Sequence, residues 1–263
     1  MRKIAVLGMV LITFFMNAQS HVEINGEYKG IYAMEESFSK ELIEQNQRRN
    51  GPILKFEESK WIAQVLKTEK TTFTQQEIFE TTEIKAFGLK KIKKDSLMNS
   101  YFERGSYLLN GLRAGVLKLD EVVDVKKAAM LFAICDLTGS NHGMRWHNQR
   151  FYYNPIIDKL EMIRFDSGSG VPINDIYYNK WKANKLTEKE GLLFWKEKFF
   201  SSPPFLAAYF DALKKISSKT YLSEHNADIE THLKNNLYLM YKENTIYKFK
   251  SEIYTDNAAI IRQ

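Results

Sequence analysis

Cysteine is almost absent: Cys135 is the single one in 263 residues. An intrachain disulfide and a thiolate metal cluster are therefore excluded. Cys135 lies inside the apolar run 128–135, where a small core residue is expected rather than a nucleophile. A dense stripe of lysine and arginine with interleaved aromatics is also missing, although the net charge is +6. Nucleic acid is therefore not the expected partner, while an acidic or phosphorylated ligand remains compatible with the charge. No collagen-like or repeat period occurs, and 44% hydrophobic with 27% charged residues describes an ordinary globular chain. The one extended apolar run, Ile4 to Met16, is too short to span a bilayer comfortably. Arg2 and Lys3 precede it and Asn17-Ala18-Gln19 follows. That pattern reads as a secretory signal over residues 1–18, with cleavage after Ala18. It predicts an extracytoplasmic chain with no stable membrane anchor, residues 19–263 forming one domain. The competing reading makes the run a core element of a cytoplasmic fragment.

Local signals then divide the chain. Alternation around Asn25-Gly26 predicts a hairpin over 22–36. Ser37 is placed to cap a helix to Gln45, and Ile53 to Phe56 reads as a strand. Residues 61–89 carry no clear period. Asp95 is placed to cap a helix over 96–111. A second helix, starting at Asp120 or Asp124 and ending near Leu137, is apolar on nearly every side and should be central. A hairpin follows from Arg150 to Phe165, turning at 154–159. Beyond it come helices over 192–200, introduced by a capping-box-like Thr187 to Glu190, then 203–216 and 226–241. The expected class is α+β, with a small strand-rich N-terminal part and a larger, mainly helical C-terminal part.

One stretch carries candidate chemistry. A buried helix runs into a polar loop holding His142 and His147, and the loop ends in Asn148. The hairpin returns the chain to that end and delivers Asp166-Ser167-Gly168. An aspartate and an asparagine so placed can share one divalent ion: the former supplies an anionic oxygen, the latter a neutral one, a set suited to Mg²⁺ on nucleotide phosphates. The same residues also suit an asparagine cap and an aspartate turn, and spacing alone leaves both open. His142, His147 and Asp166 could alternatively hold zinc, although no third clear ligand accompanies the two histidines. Trp146, Tyr152 and Tyr153 could stack on a base or a sugar, or be core residues.

Asn25-Gly26-Glu27-Tyr28-Lys29-Gly30-Ile31-Tyr32-Ala33-Met34-Glu35-Glu36 resembles the NGEYxGxYxxxE signature of the CotH (spore-coat protein H) kinase family. Trp146-His147-Asn148, Phe151-Tyr152-Tyr153 and Phe165-Asp166 are similar to that family's HN-x-x-aromatic loop and following metal aspartate. The resemblance spans about residues 22–170. It implies an atypical protein-kinase-like, two-lobed fold that binds ATP with a divalent metal and phosphorylates a protein. It further implies that Asn148 and Asp166 are the Mg²⁺ ligands. Where the family places a catalytic aspartate, about five residues before the asparagine, this chain has His142-Gly143. His142 is accordingly the candidate base or acceptor-orienting group, or else a structural loop donor. Asp136, the nearest upstream carboxylate, is expected to point elsewhere. Lys55 is the candidate phosphate-facing lysine, with Glu36 as its possible carboxylate partner; a plain exposed strand lysine is the other reading. Relative to the family, the expectation is a chain truncated on its N-terminal side. The alternative function is a non-catalytic module binding a protein or surface glycan.

Overall fold

A computed structural model describes residues 18–34, 36–66, 73–140, 142–168, 170–183 and 193–263. Residues 1–17 of the signal-like segment 1–18, and the capping-box-like start at 187–190, lie outside the described residues. The class is α+β: two small antiparallel sheets among predominantly helical structure.

The first sheet is the hairpin of β1 (Ala18–Ile24) and β2 (Glu27–Met34). Asn25 and Gly26 both have positive φ, 54° and 81°. Two consecutive positive φ values match a tight two-residue turn to the strand twist, which is why asparagine and glycine occupy it. The hairpin does not join the second sheet. It packs instead on a long C-terminal helix, α11 (Lys219–Glu243), where the Tyr28 hydroxyl donates to the Glu243 carboxylate.

Helix α1 (Lys40–Gln45) begins later than Ser37 predicted; Ser39 occupies the cap position without a side-chain bond. Strand β3 (Ile53–Phe56) follows as expected. The stretch without a clear period holds short elements: α2 (Ser59–Val65), α3 (Gln75–Thr81), β4 (Ile84–Ala86) and α4 (Leu89–Ile92). Helix α3 starts on a reciprocal capping box between Thr74 and Glu77. Helix α5 (Ser96–Ala114) is capped by Asp95 as expected but continues past Gly111 to a left-handed stop at Gly115. After α6 (Leu119–Val122), Asp124 caps α7 (Val125–Thr138). Helix α7 is the central one: from Ala128 to Thr138, only Met130 escapes full burial. It ends at Gly139, φ +64°, where a Cβ would sit 2.0 Å from the Val171 carbonyl oxygen, so only glycine fits.

Strands β5 (Arg150–Asn154) and β6 (Lys159–Ile163) complete the second sheet, in the order β4-β3-β5-β6 with every neighbour antiparallel. Its alternation serves two packing surfaces. Leu54, Phe56, Phe151 and Tyr153 join the main core with α5 and α7. Ile53, Tyr152 and Ile163 meet Leu42 and Ile43 of α1 on the other face. The remaining helices are α8 (Tyr177–Lys182), α9 (Leu193–Phe200), α10 (Pro203–Ile216), α11 and α12 (Glu252–Ile261). Helix α11 begins seven residues before the predicted start, because Ser218 caps it through the Tyr221 amide. Helices α10 and α12 pack directly on α7. No described helix is long and apolar enough to cross a membrane.

Candidate functional site

The hairpin of β5 and β6 brings both ends of the polar loop to one place. After α7 the chain makes two short 3-10 turns, His142–Met144 and Trp146–Asn148, before entering β5. Gly143 permits the close return: a Cβ there would lie 2.0 Å from Ser167 Oγ and 2.6 Å from the Phe165 carbonyl oxygen. His142, Asn148 and Asp166 therefore converge. His142 Nδ1 lies 2.9 Å from the Asp166 backbone oxygen and 3.0 Å from Asp166 Oδ2. Asn148 Nδ2 donates to the His142 carbonyl at 3.0 Å and lies 3.4 Å from Asp166 Oδ2. It also lies 3.1 Å from His142 Nδ1. Two acceptors on Asp166 face Nδ1, and the Asn148 amide has its own acceptor in the His142 carbonyl. The network therefore assigns the proton to Nδ1 and leaves Nε2 as the basic nitrogen of the neutral ring.

Exposure separates the roles. Asn148 is 5% exposed, whereas the His142 and Asp166 side chains are 42% and 54% exposed. Asp166 itself is left-handed, φ +46°, a conformation that aspartate tolerates better than most L residues. One exposed carboxylate, that of Asp166, suits a hard divalent cation and would leave most of the coordination sphere to water and phosphate oxygens, as Mg²⁺ prefers. The amide nitrogen of Asn148, rather than its oxygen, faces the carboxylate, so Asn148 here orients His142 and Asp166.

Behind the trio lies an ionic and aromatic layer that sequence reasoning missed. Arg150, 3% exposed, sits 4.5 Å from the Phe165 ring centre and 5.7 Å from those of Phe38 and Phe87. Its guanidinium donates to the His147 carbonyl at 2.7 Å and lies 3.8 Å from the Glu58 carboxylate. Burial pulls its pKa down, opposed by Glu58 and Asp166. Lys55 Nζ donates to the same Glu58 at 3.1 Å. The suggested Lys55–Glu36 pair is thus not the one formed. Glu58 follows Lys55 by three residues at the strand-to-helix corner, and that local partner is the closer one. Glu36 Oε2 is buried without a hydrogen-bond partner, and burial followed by the nearby Glu41 pushes its carboxyl up. The Lys55–Glu58 spacing was visible in the sequence; the arginine's aromatic surroundings, drawn from three separate segments, were not.

The other candidates fall into place. His147 stacks on Trp61 at 6.0 Å, and burial, then Arg145 and His142, pull its pKa down to about 4. No three histidine, cysteine, aspartate or glutamate residues cluster suitably for a metal among the described residues. Trp146, Tyr152 and Tyr153 are buried, which gives them to the core rather than to a stacked ligand. Cys135 is buried and its thiol is pushed up to about 11 by that burial. Asp136 does point elsewhere, accepting from the Tyr177 amide at 2.8 Å and from the Tyr209 hydroxyl. Comparison with family models and with curated proteins finds no match for the chain.

Proposed function

We propose that this chain is a CotH-like phosphoryl-transfer domain of two-lobed, atypical protein-kinase type, acting outside the cytoplasm. Its reaction is transfer of the ATP γ-phosphate to a protein hydroxyl. The observation that carries the reading is the convergence of His142, Asn148 and Asp166 across the β5–β6 hairpin.

Mg²⁺, when bound, supplies neutralisation of phosphate charge. Asp166 is its carboxylate ligand, with Asn148 alongside. Lys55, held by Glu58 at the neighbouring strand, is the cation for the phosphates. His142 Nε2 accepts the acceptor hydroxyl's proton. The Asp166 carboxylate and backbone oxygen at Nδ1 hold the ring in that tautomer and stabilise the imidazolium that forms. Asn148 fixes the loop by gripping the His142 carbonyl.

The test has two steps. ATP with Mg²⁺ should raise the melting temperature of the wild type and not of Asp166→Asn. Labelled phosphate should then reach a generic protein acceptor, and His142→Ala should slow that transfer by about 10² to 10⁴-fold with nucleotide affinity nearly unchanged. Absence of nucleotide-dependent stabilisation in the wild type would sink the reading. Nucleotide binding without transfer in any variant would identify a non-catalytic binding module instead.

A further inference from the structure

Asn257 is a polar residue inside the core, 1% exposed, on the face of α12 that meets α7. Every hydrogen-bonding group of its carboxamide but one lone pair is used. Nδ2 donates to the Leu137 carbonyl at 2.9 Å and to the Val171 carbonyl at 2.9 Å. Oδ1 accepts from the Ile173 amide at 2.9 Å. A buried amide satisfied in this way joins the segments it touches, because any of them moving off would leave buried polar groups unpaired.

The segments concerned are the two arms of the candidate site. Leu137 lies five residues before His142, in the last turn of α7, and Val171 lies five residues after Asp166. Backbone and side-chain bonds of the same small region also tie them. The Val171 amide donates to the Thr138 carbonyl at 3.3 Å, and Arg164 donates to Ser140 Oγ at 3.2 Å and to the Gly168 carbonyl at 2.8 Å. Asn257 brings in a distant element, 120 residues from Leu137.

We infer that Asn257 is a positioning residue that locks the His142 arm to the Asp166 arm, making α12 part of the site's support without touching a substrate. The role in catalysis rests on the phosphoryl-transfer reading; the coupling of the two arms does not.

The coupling is tested without nucleotide, on the full chain, by hydrogen exchange and by the ring signals of His142 in NMR spectra. In the wild type the Ile173 amide should exchange as slowly as buried amides of α7, since they open together. In Asn257→Ala, the Val171 and Ile173 amides should exchange at least about tenfold faster than the α7 interior, and the His142 ring signals should shift or broaden. Thr255→Ala, on the exposed side of the same helix, should change neither. Fast Ile173 exchange in the wild type overturns the inference, and that measurement stands even if Asn257→Ala fails to fold. Unmoved His142 signals in a folded Asn257→Ala overturn it too. Nucleotide–Mg²⁺ stabilisation, measured on the same proteins, separates the cases. If it is absent from the wild type while the coupling persists, the phosphoryl-transfer reading fails and the lock stands. If it is present in the wild type and the lock holds, it should weaken in Asn257→Ala and persist in Thr255→Ala.

Discussion

Asp166 carries two burdens at once. Its carboxylate faces His142, and its backbone, at φ +46°, is in the left-handed region. For most L residues that conformation costs about 1–2 kcal/mol, less for aspartate and asparagine. Replacing Asp166 therefore mixes loss of charge with strain unless the substitute is chosen for its backbone. Asp166→Asn removes the charge and keeps the tolerance, which makes it the cleaner probe of metal binding. Asp166→Ala and Asp166→Gly both remove the carboxylate but differ in strain. Asp166→Ala should be less stable than Asp166→Gly by about 1 kcal/mol, as denaturant midpoints would show. Equal midpoints would mean that the left-handed residue is not what constrains this turn.

At the scale of elements, the site is made by α7, the loop after it and the β5–β6 hairpin, and glycine sets how closely they meet. Gly143 lies against Ser167 and the Phe165 carbonyl at distances no Cβ accommodates. Gly143→Ala must push the His142 turn away from the Asp166 turn or distort both. The expected cost is about 1–3 kcal/mol, with altered His142 ring signals in the folded fraction. Unchanged stability and unchanged signals would show that the two turns slide freely. This part of the fold was legible because its signals are local: a buried helix, a glycine stop, and a hairpin with alternating apolar strands. The Asn25-Gly26 turn was legible for the same reason. The stretch from Trp61 to Leu89 was not. Its elements are short, and one of them is announced only by the Thr74–Glu77 capping box. The layer around Arg150 and the lock at Asn257 were illegible for another reason. Their partners are far apart in sequence, and no periodicity records which distant carbonyl a buried amide will meet. The pairing of Lys55 with Glu58 shows the opposite case: Glu36 was offered as a partner from a distance, while a carboxylate three residues away forms the pair.

Across the whole molecule, the buried carboxylate of Asp136 contributes a pH dependence of its own. Asp136 is fully buried on α7 and pushed up to about 7 by that burial, against the Tyr209 hydroxyl, the Tyr177 amide, Lys196 and Lys180, which favour its charged form. In an unfolded chain an aspartate titrates near 3.9. Below about pH 4 both states hold the proton and Asp136 gives no slope. Between about pH 4 and 7 the unfolded chain has lost the proton while the fold retains it, so stability falls as pH rises. Above about pH 7 both states have lost it and the slope vanishes. Glu57 acts in the opposite direction and in another window. Burial pushes its carboxyl up, but Lys85 and Ser59 override that and hold it down at about 2. Its contribution is present above about pH 4.5 and is lost as pH falls toward 2. The two effects can therefore be separated by one substitution. Asp136→Asn keeps an acceptor for the Tyr177 amide and a partner for Tyr209 while removing the titration. In urea titrations at several pH values, the stability of Asp136→Asn relative to the wild type should rise between pH 4 and 7 by up to about 1.4 kcal/mol per pH unit; His147, pulled down to about 4, has the opposite slope in this window and cancels in that difference because both proteins carry it. Both should weaken alike between pH 4 and 2, where Glu57 and the other carboxylates held low by their partners, Asp158 and Glu77 among them, take up protons. If Asp136→Asn keeps the wild-type slope above pH 4, Asp136 is ionised in the fold, and its carboxylate is held by Lys196 and Tyr209 against the cost of burial.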